Sequence, residues 1–522
     1  MQGMNERPDD ESQIEEDKPE TRTISRRTFL KWTAAAGVLA GVTGLGALST
    51  LGYVYRPPSP PPAWEIAPGV IDYGIWESMH PLNNQDYTNQ LGGPTPNVLK
   101  VAQWYDYWPG SFITDFVDYM KVTYNLSVDV QVDIYTSNEE LFEWITLGGK
   151  KYDVMFPTNH IVDTIKKGGF LYNLNLDWIS NFNNLWTDFI RVPHHVDSPD
   201  NLDQRQDPNG LHFVGIPYFF GTTGIAFRSD VIPKADVEEI GLDFFTMSEY
   251  TTLNPGTLPA GTTVTLKNQM RMLEDLRDVF TFGFKAAGWA DQQANNLTPS
   301  PYIEPYTDTN GVTWPRPGVG TQWTSNETDS AKVGAMRDWL FRCKPNLFDF
   351  NSTGDTPSLI AGLAVLNQAW SGDIAYAQRP DQNNPQYADY VVPKQGSRWW
   401  QDTCTIHSAS RNIWLAHQFI NFIHSVDAAW PENQKLTRWN LYPTPNKACY
   451  DYFWNLEHAN GAYAPPTPIW STGSTWIMTD DARLYPNIKD PDTWARCDLP
   501  RDVGFDALIN KYNPLWFDLT SE

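Results

Sequence analysis

From residue 98 the apolar positions follow two alternating rhythms. Val98-Leu99-Lys100-Val101-Ala102 is a short apolar run ending at Gln103-Trp104, the pattern of a buried strand. Pro109 opens a stretch whose apolar face is Phe112, Ile113, Phe116, Val117 and Met120, the spacing of an amphipathic helix. Val128, Val130, Val132 and Ile134 alternate with polar residues, as a strand requires. Ser137 caps the next helix, with Glu140 completing a capping box and Leu141, Trp144 and Ile145 supplying the apolar face. A third strand at 152–156 and a third helix at 160–167 follow, closed by Gly168-Gly169. This order predicts a parallel sheet with helices on both faces. Ligand sites in such sheets form beyond the carboxyl ends of strands. Here those ends are 104–107, 157–160 and, later, 370–373, all rich in aromatic, hydroxyl or carboxylate side chains.

Residues 216–227 make a run too long for one strand of a single lobe, without helical period. It reads as a strand crossing between two lobes, with Gly221 and Gly224 giving hinge freedom. A further helix is expected at 413–425. Residues 172–213 read as loop, and 292–330, full of Pro, Thr, Asn and Gly, as a surface insertion. No repeat of 20–50 residues is present.

The N-terminal part has another character. Residues 1–24 are polar and read as disordered. Ser25-Arg26-Arg27-Thr28-Phe29-Leu30-Lys31 then precedes a mildly apolar run from Trp32 to Tyr55. Adjacent arginines, Phe-Leu-Lys and a weak apolar core fit a twin-arginine export signal. With no Cys near the end of the run a lipoprotein is excluded. The run is long enough to span a bilayer and reads as a retained membrane anchor over 25–55. Cleavage near Ser49 is the alternative. Residues 56–95 begin with a stiff Pro-rich spacer and continue as a linker.

Charge narrows the class. The 522 residues carry 62 acidic against 38 basic side chains, a net charge of −24, which argues against nucleic acid as a partner. Trp, Tyr and Phe number 23, 24 and 25, many of them core, but flat π faces also suit sugars and organic cations. Cys343, Cys404, Cys449 and Cys497 are widely spaced, with no CxxC. Disulfides and buried free thiols both stay open. Catalytic signatures are missing: no GxSxG, HExxH, P-loop or dinucleotide fingerprint occurs. No catalytic residue, cofactor or metal site is assigned.

The chemistry lies in a constellation. Asp275 and Asp278 are three apart at a helix start and share one face. Trp370-Ser371-Gly372-Asp373 sets an indole and a carboxylate beside a glycine, and Trp399-Trp400-Gln401-Asp402 repeats the theme. Singly, each motif is commonly structural. Together they suit an alkyl ammonium, with carboxylates on the nitrogens and aromatic faces along the methylenes.

At this point the chain resembles the spermidine/putrescine-binding proteins of ABC importers, a branch of the bilobal periplasmic solute-binding proteins. Five segments match in order: 103–107, 152–158, 216–225, 370–373 and 441–446. The resemblance implies an α/β, two-lobe periplasmic-binding-protein fold of type II, with crossing hinge strands and a ligand cleft between the lobes. It also implies ligand roles. Trp104 and Tyr107 are aromatic walls, and Asp106 and Thr158 polar contacts. Asp275, Asp278, Asp373 and Asp402 are the acids for the ammonium groups. Trp370 stacks on the methylene chain, and Tyr442 is a hydroxyl or aromatic wall. His160 stands where one branch of the family has a Tyr, and Tyr105 replaces a smaller residue.

The expectation is thus a non-enzymatic binder. Residues 96–224 with 376–443 form one lobe, and 225–373 with 446–522 the other. It captures a polyamine and hands it to ABC permease subunits. Rivals are a binder of iron or a thiamine-like cation, and an exported polysaccharide hydrolase or lyase.

Overall fold

The computed structural model describes residues 97–146 except Asp106, 149–186, 213–295, 323–377, 387–458 and 478–521, with short pieces near 65–75, 189, 306 and 313. The chain divides into residues 1–57, none of them described, and residues 58–522, which hold every element below. The expectations for the N-terminal tail, the export segment, Asp106 and most of both insertions lie outside the described residues.

The first half follows the apolar rhythm. Strand β1 (Val98–Trp104), helix α1 (Phe112–Tyr124), β2 (Asp129–Tyr135), α2 (Asn138–Thr146), β3 (Val154–Met155) and α3 (Asn159–Lys167) succeed one another. β1 pairs in parallel with both β2 and β3. Phe112, Phe116 and Met120 of α1 are fully buried, as their spacing requires. The capping box of α2 is offset: the Glu140 amide donates to Ser137 Oγ, while the Glu140 carboxylate accepts from the Thr136 amide. β2 ends the strand order. For that reason Val130 and Val132 are only half-buried and Ile134 is exposed.

The long run is one strand, β4 (Gly215–Arg228), buried along nearly its whole length. Further on come β5 (Met270–Met272), α4 (Leu276–Ala294), α5 (Ser330–Cys343), β6 (Leu347–Phe350) and β7 (Leu366–Trp370). They are followed by α6 (Ser371–Ala377), β8 (Ala388–Val391), β9 (Ser397–Ile406), α7 (Ile413–Ile423), α8 (Glu432–Asn440), α9 (Lys447–His458) and β10 (Cys497–Asp498). A single sheet runs in the order β6-β5-β7-β4-β9-β3-β1-β2. β4 holds it together by changing partners. Its first half, to Thr222, pairs antiparallel with β9, and from Thr223 it pairs with β7. β8 lies along its other edge.

The apolar core divides at the same place. One cluster draws on 99–219 and 400–442, including Phe219. A second draws on 225–366 with Tyr512, Leu515 and Leu519. A third joins Phe220, Ala226 and Trp399 of the two crossing strands to Tyr450 and Phe453 of α9. Gly221 and Gly224 sit at this crossing, but neither needs a left-handed backbone. A Cβ on Gly221 would stand 2.6 Å from the Trp400 ring, and one on Gly224 2.5 Å from that of Tyr390. Close approach of large rings, rather than hinge freedom, requires glycine here. All four cysteines are buried free thiols.

Candidate functional site

A cavity of about 310 Å³ opens where β4 changes partners, and the ends of β1 and β7 and the first half of β9 feed side chains into it. It collects nine of the eleven sequence-derived site residues: Trp104, Tyr107, Thr158, Asp275, Asp278, Trp370, Asp373, Asp402 and Tyr442. Asp106 is not described. His160 is buried but is not part of the lining. Both its ring nitrogens lack a hydrogen-bond partner, and burial, aided by the charges of Arg398 and Arg277, holds its pKa well below the usual imidazole range.

The aromatic walls form a connected set. The Trp104 indole donates to the Phe156 carbonyl at 2.9 Å, which fixes the ring at the end of β1. Tyr107 and Tyr442 lie 5.4 Å apart between centroids, Tyr442 and Trp400 5.3 Å, and Trp400 and Trp370 6.5 Å. Gly372 permits this, since a Cβ there would overlap the Tyr442 ring. Tyr442 in turn donates to Asp373 Oδ1 at 2.5 Å.

Asp402 is held by two hydroxyls: Tyr107 donates to Oδ2 at 2.5 Å and Thr158 to Oδ1 at 2.7 Å. It sits where β9 faces a bulge, since β4 sets both Tyr218 and Phe219 against this one residue. Bulges of this kind re-aim a side chain. Burial pushes the Asp402 carboxyl up to about 7, against the lowering effect of its two hydroxyl donors and of Arg398.

Asp275 and Asp278 meet at the start of α4. Asp275 is its N-cap and accepts from the Asp278 amide at 2.9 Å. Asp278 accepts from Thr223 Oγ1 at 2.5 Å and from the Trp370 indole at 2.9 Å, so both its oxygens are engaged. Burial raises it to about 6, with Arg398 opposing and Asp275 reinforcing. Half-buried Glu139 on α2 rises to about 8 through burial and the charge of Asp275.

Sequence reasoning missed Arg398, the one cation among the described lining residues. It is 1% exposed. Its Nε lies 3.4 Å from Asp278 Oδ1 and its Nη1 3.9 Å from Asp275 Oδ1. A usable signal existed: Arg398, Trp400 and Asp402 alternate along β9 and all three line the cavity. Asn138, Tyr376 and Asn440 also line it and carried no such signal.

With this geometry in hand, comparison with known proteins gives the class. The mixed α/β fold is that of the two-lobed periplasmic-binding proteins. A solved structure named as a putative spermidine/putrescine ABC transporter from Listeria monocytogenes superposes with a TM-score of 0.56 at 20% identity. It covers 81% of this chain and 98% of that one. The spermidine/putrescine ABC transporter substrate-binding protein of Streptococcus pneumoniae gives 0.52 at 18%, with 81% and 98% covered. In sequence the chain is similar to the spermidine/putrescine-binding periplasmic protein of Escherichia coli K12. The two are 24% identical over 353 residues, 67% of this chain and 78% of that protein. Residues 23–43 match the twin-arginine translocation (TAT) pathway signal sequence. The chain therefore carries the export signal of the twin-arginine route. Among the described residues no helix is long and apolar enough to cross a membrane.

Proposed function

We propose that this protein captures a small polyamine-type cation between its lobes and delivers it to an ABC permease without chemical change. The observation that carries the reading is the cavity itself. Four carboxylates, Asp275, Asp278, Asp373 and Asp402, share one space with the rings of Trp104, Trp370, Trp400 and Tyr442. Carboxylates pair with ammonium groups, and aromatic faces cover methylenes and attract cations. The names of the sequence relatives, which refer to spermidine and putrescine, point the same way.

The lobes are taken as 96–224 with 376–443 and 225–373 with 446–522. Closure about β4 and β9 around bound ligand is the working motion, since a ligand touching both lobes favours the closed state. Nine lining residues form the ligand set, with Asp106 added from its place in the strand-end motif. His160 acts as a buried neighbour of Arg398. Residues 32–55 serve as a retained anchor, keeping the binder beside its permease.

Titration calorimetry of the purified chain against putrescine, spermidine, spermine and N-acetylputrescine tests the reading. Saturable 1:1 binding with the ligand recovered intact is expected. Absence of binding by every amine would overturn it, and so would turnover of the ligand.

A further inference from the structure

Arg398 is an unusual member of a cation site, and its hydrogen bonding shows what it lacks. Its Nε and Nη1 are buried and make no hydrogen bond. The approaches to Asp278 and Asp275 at 3.4 and 3.9 Å are ion pairs without hydrogen-bond geometry. Both Asp278 oxygens are already taken by Thr223 and Trp370, and Asp275 Oδ1 by a backbone amide. A buried donor left unmade is costly, and a guanidinium has no acceptor function at all. The cavity thus holds a fixed positive charge with donors still to be satisfied. Ammonium groups cannot satisfy them, because they carry no lone pair, and they would place like charges together in a water-poor site.

Resting on the polyamine-type reading of this same cavity, we infer a narrower ligand class: a linear alkyl ammonium that also bears an oxygen acceptor, received by Arg398 on β9. The ammonium goes to the remaining carboxylates, Asp373 and Asp402, which accept from the hydroxyls of Tyr442 and of Tyr107 and Thr158 on the cavity wall. Two sources supply this chemistry: the amide carbonyl of an N-acylated diamine, or the carboxylate of an ω-amino acid. Arg398 acts here as a specificity-determining residue, excluding a second ammonium from the Asp275–Asp278 pair.

The test is calorimetry at pH 8 on the full chain with putrescine, spermidine, N-acetylputrescine and 4-aminobutyrate. At least one oxygen-bearing ligand binds ten-fold or more tightly than putrescine. A lead for N-acetylputrescine assigns the amide, and a lead for 4-aminobutyrate the carboxylate. Arg398→Met brings the oxygen-bearing ligands to within about three-fold of putrescine, since the advantage lies in the guanidinium donors. Arg398→Lys keeps a charge without the planar fork and lowers the advantage without abolishing it. Should these variants fail to fold, the wild-type ranking alone decides. Putrescine or spermidine binding more tightly than both oxygen-bearing ligands overturns the inference and leaves the polyamine reading standing. Failure of all four ligands overturns that reading as well.

Discussion

Tyr107 donates its phenolic proton to Asp402 at 2.5 Å, joining residues 295 positions apart in the chain. The bond favours the ionised carboxylate, the form a cation needs, while burial works against it. Tyr107→Phe removes the bond and raises the Asp402 carboxyl further. A hydrogen bond to a charged group is worth about 1.5–3 kcal/mol. Ammonium affinity at pH 7 should therefore fall by roughly ten-fold or more, at 1.4 kcal/mol per ten-fold. At pH 9, where Asp402 ionises even without the bond, the deficit shrinks. Calorimetry at both pH values checks this, and an equal loss at pH 7 and pH 9 would contradict it.

The buried acids set a pH dependence with a defined sign. Asp402 rises to about 7, Asp278 to about 6 and Glu139 to about 8, from ordinary values of 3.8, 3.8 and 4.5. Burial is the main cause in each. Arg398 opposes it in all three, Arg277 also at Glu139, and Asp275 adds to it. Between about pH 4 and pH 8 the unfolded chain has released protons that the ligand-free folded protein keeps. Its stability therefore falls as pH rises through that window. Ligand affinity moves the other way, because a cation selects the ionised carboxylates, and binding releases protons. Titrations in buffers of different ionisation enthalpy measure the release. A proton count of zero at pH 6 would refute the assignment.

Gly372 leaves no room for a side chain. Gly372→Ala pushes its methyl into the Tyr442 ring and disturbs the bond from Tyr442 to Asp373. Overpacking of this kind costs about 1–3 kcal/mol. The variant should melt several degrees lower and bind ligand at least ten-fold more weakly. Gly224→Ala, which meets Tyr390 instead, serves as the comparison: a similar loss of stability with a smaller loss of affinity.

The four cysteines are buried thiols, and burial raises the pKa of each above the ordinary thiol value. Reductant should leave the melting temperature unchanged, and a thiol reagent should label four groups only after denaturation. Rapid labelling of the native protein would be inconsistent with this packing.

Much of the site was legible because it lies on regular elements. Asp275 and Asp278 were readable as a pair since helix geometry sets residues three apart on one face, and α4 starts there. The strand ends at Trp104 and Trp370 followed from apolar runs that stop at an indole. Arg398 was not recognised, because a charged residue in a wholly buried strand contradicts the composition rule for such strands. Its burial depends on Asp275 and Asp278, more than a hundred positions away.

The sequence by itself determined the export route, the strand–helix order of residues 98–167, the long strand at 215–228 and the acid-plus-aromatic chemistry. Each rests on local pattern: adjacent arginines, periods of two and near four, and side-chain type. Tertiary structure alone decided which acids are shared with a protein cation, which hydroxyls hold Asp402, and why Gly221, Gly224 and Gly372 must lack a side chain. Those depend on distances between segments that only the exchange of partners along β4, from β9 to β7, brings together.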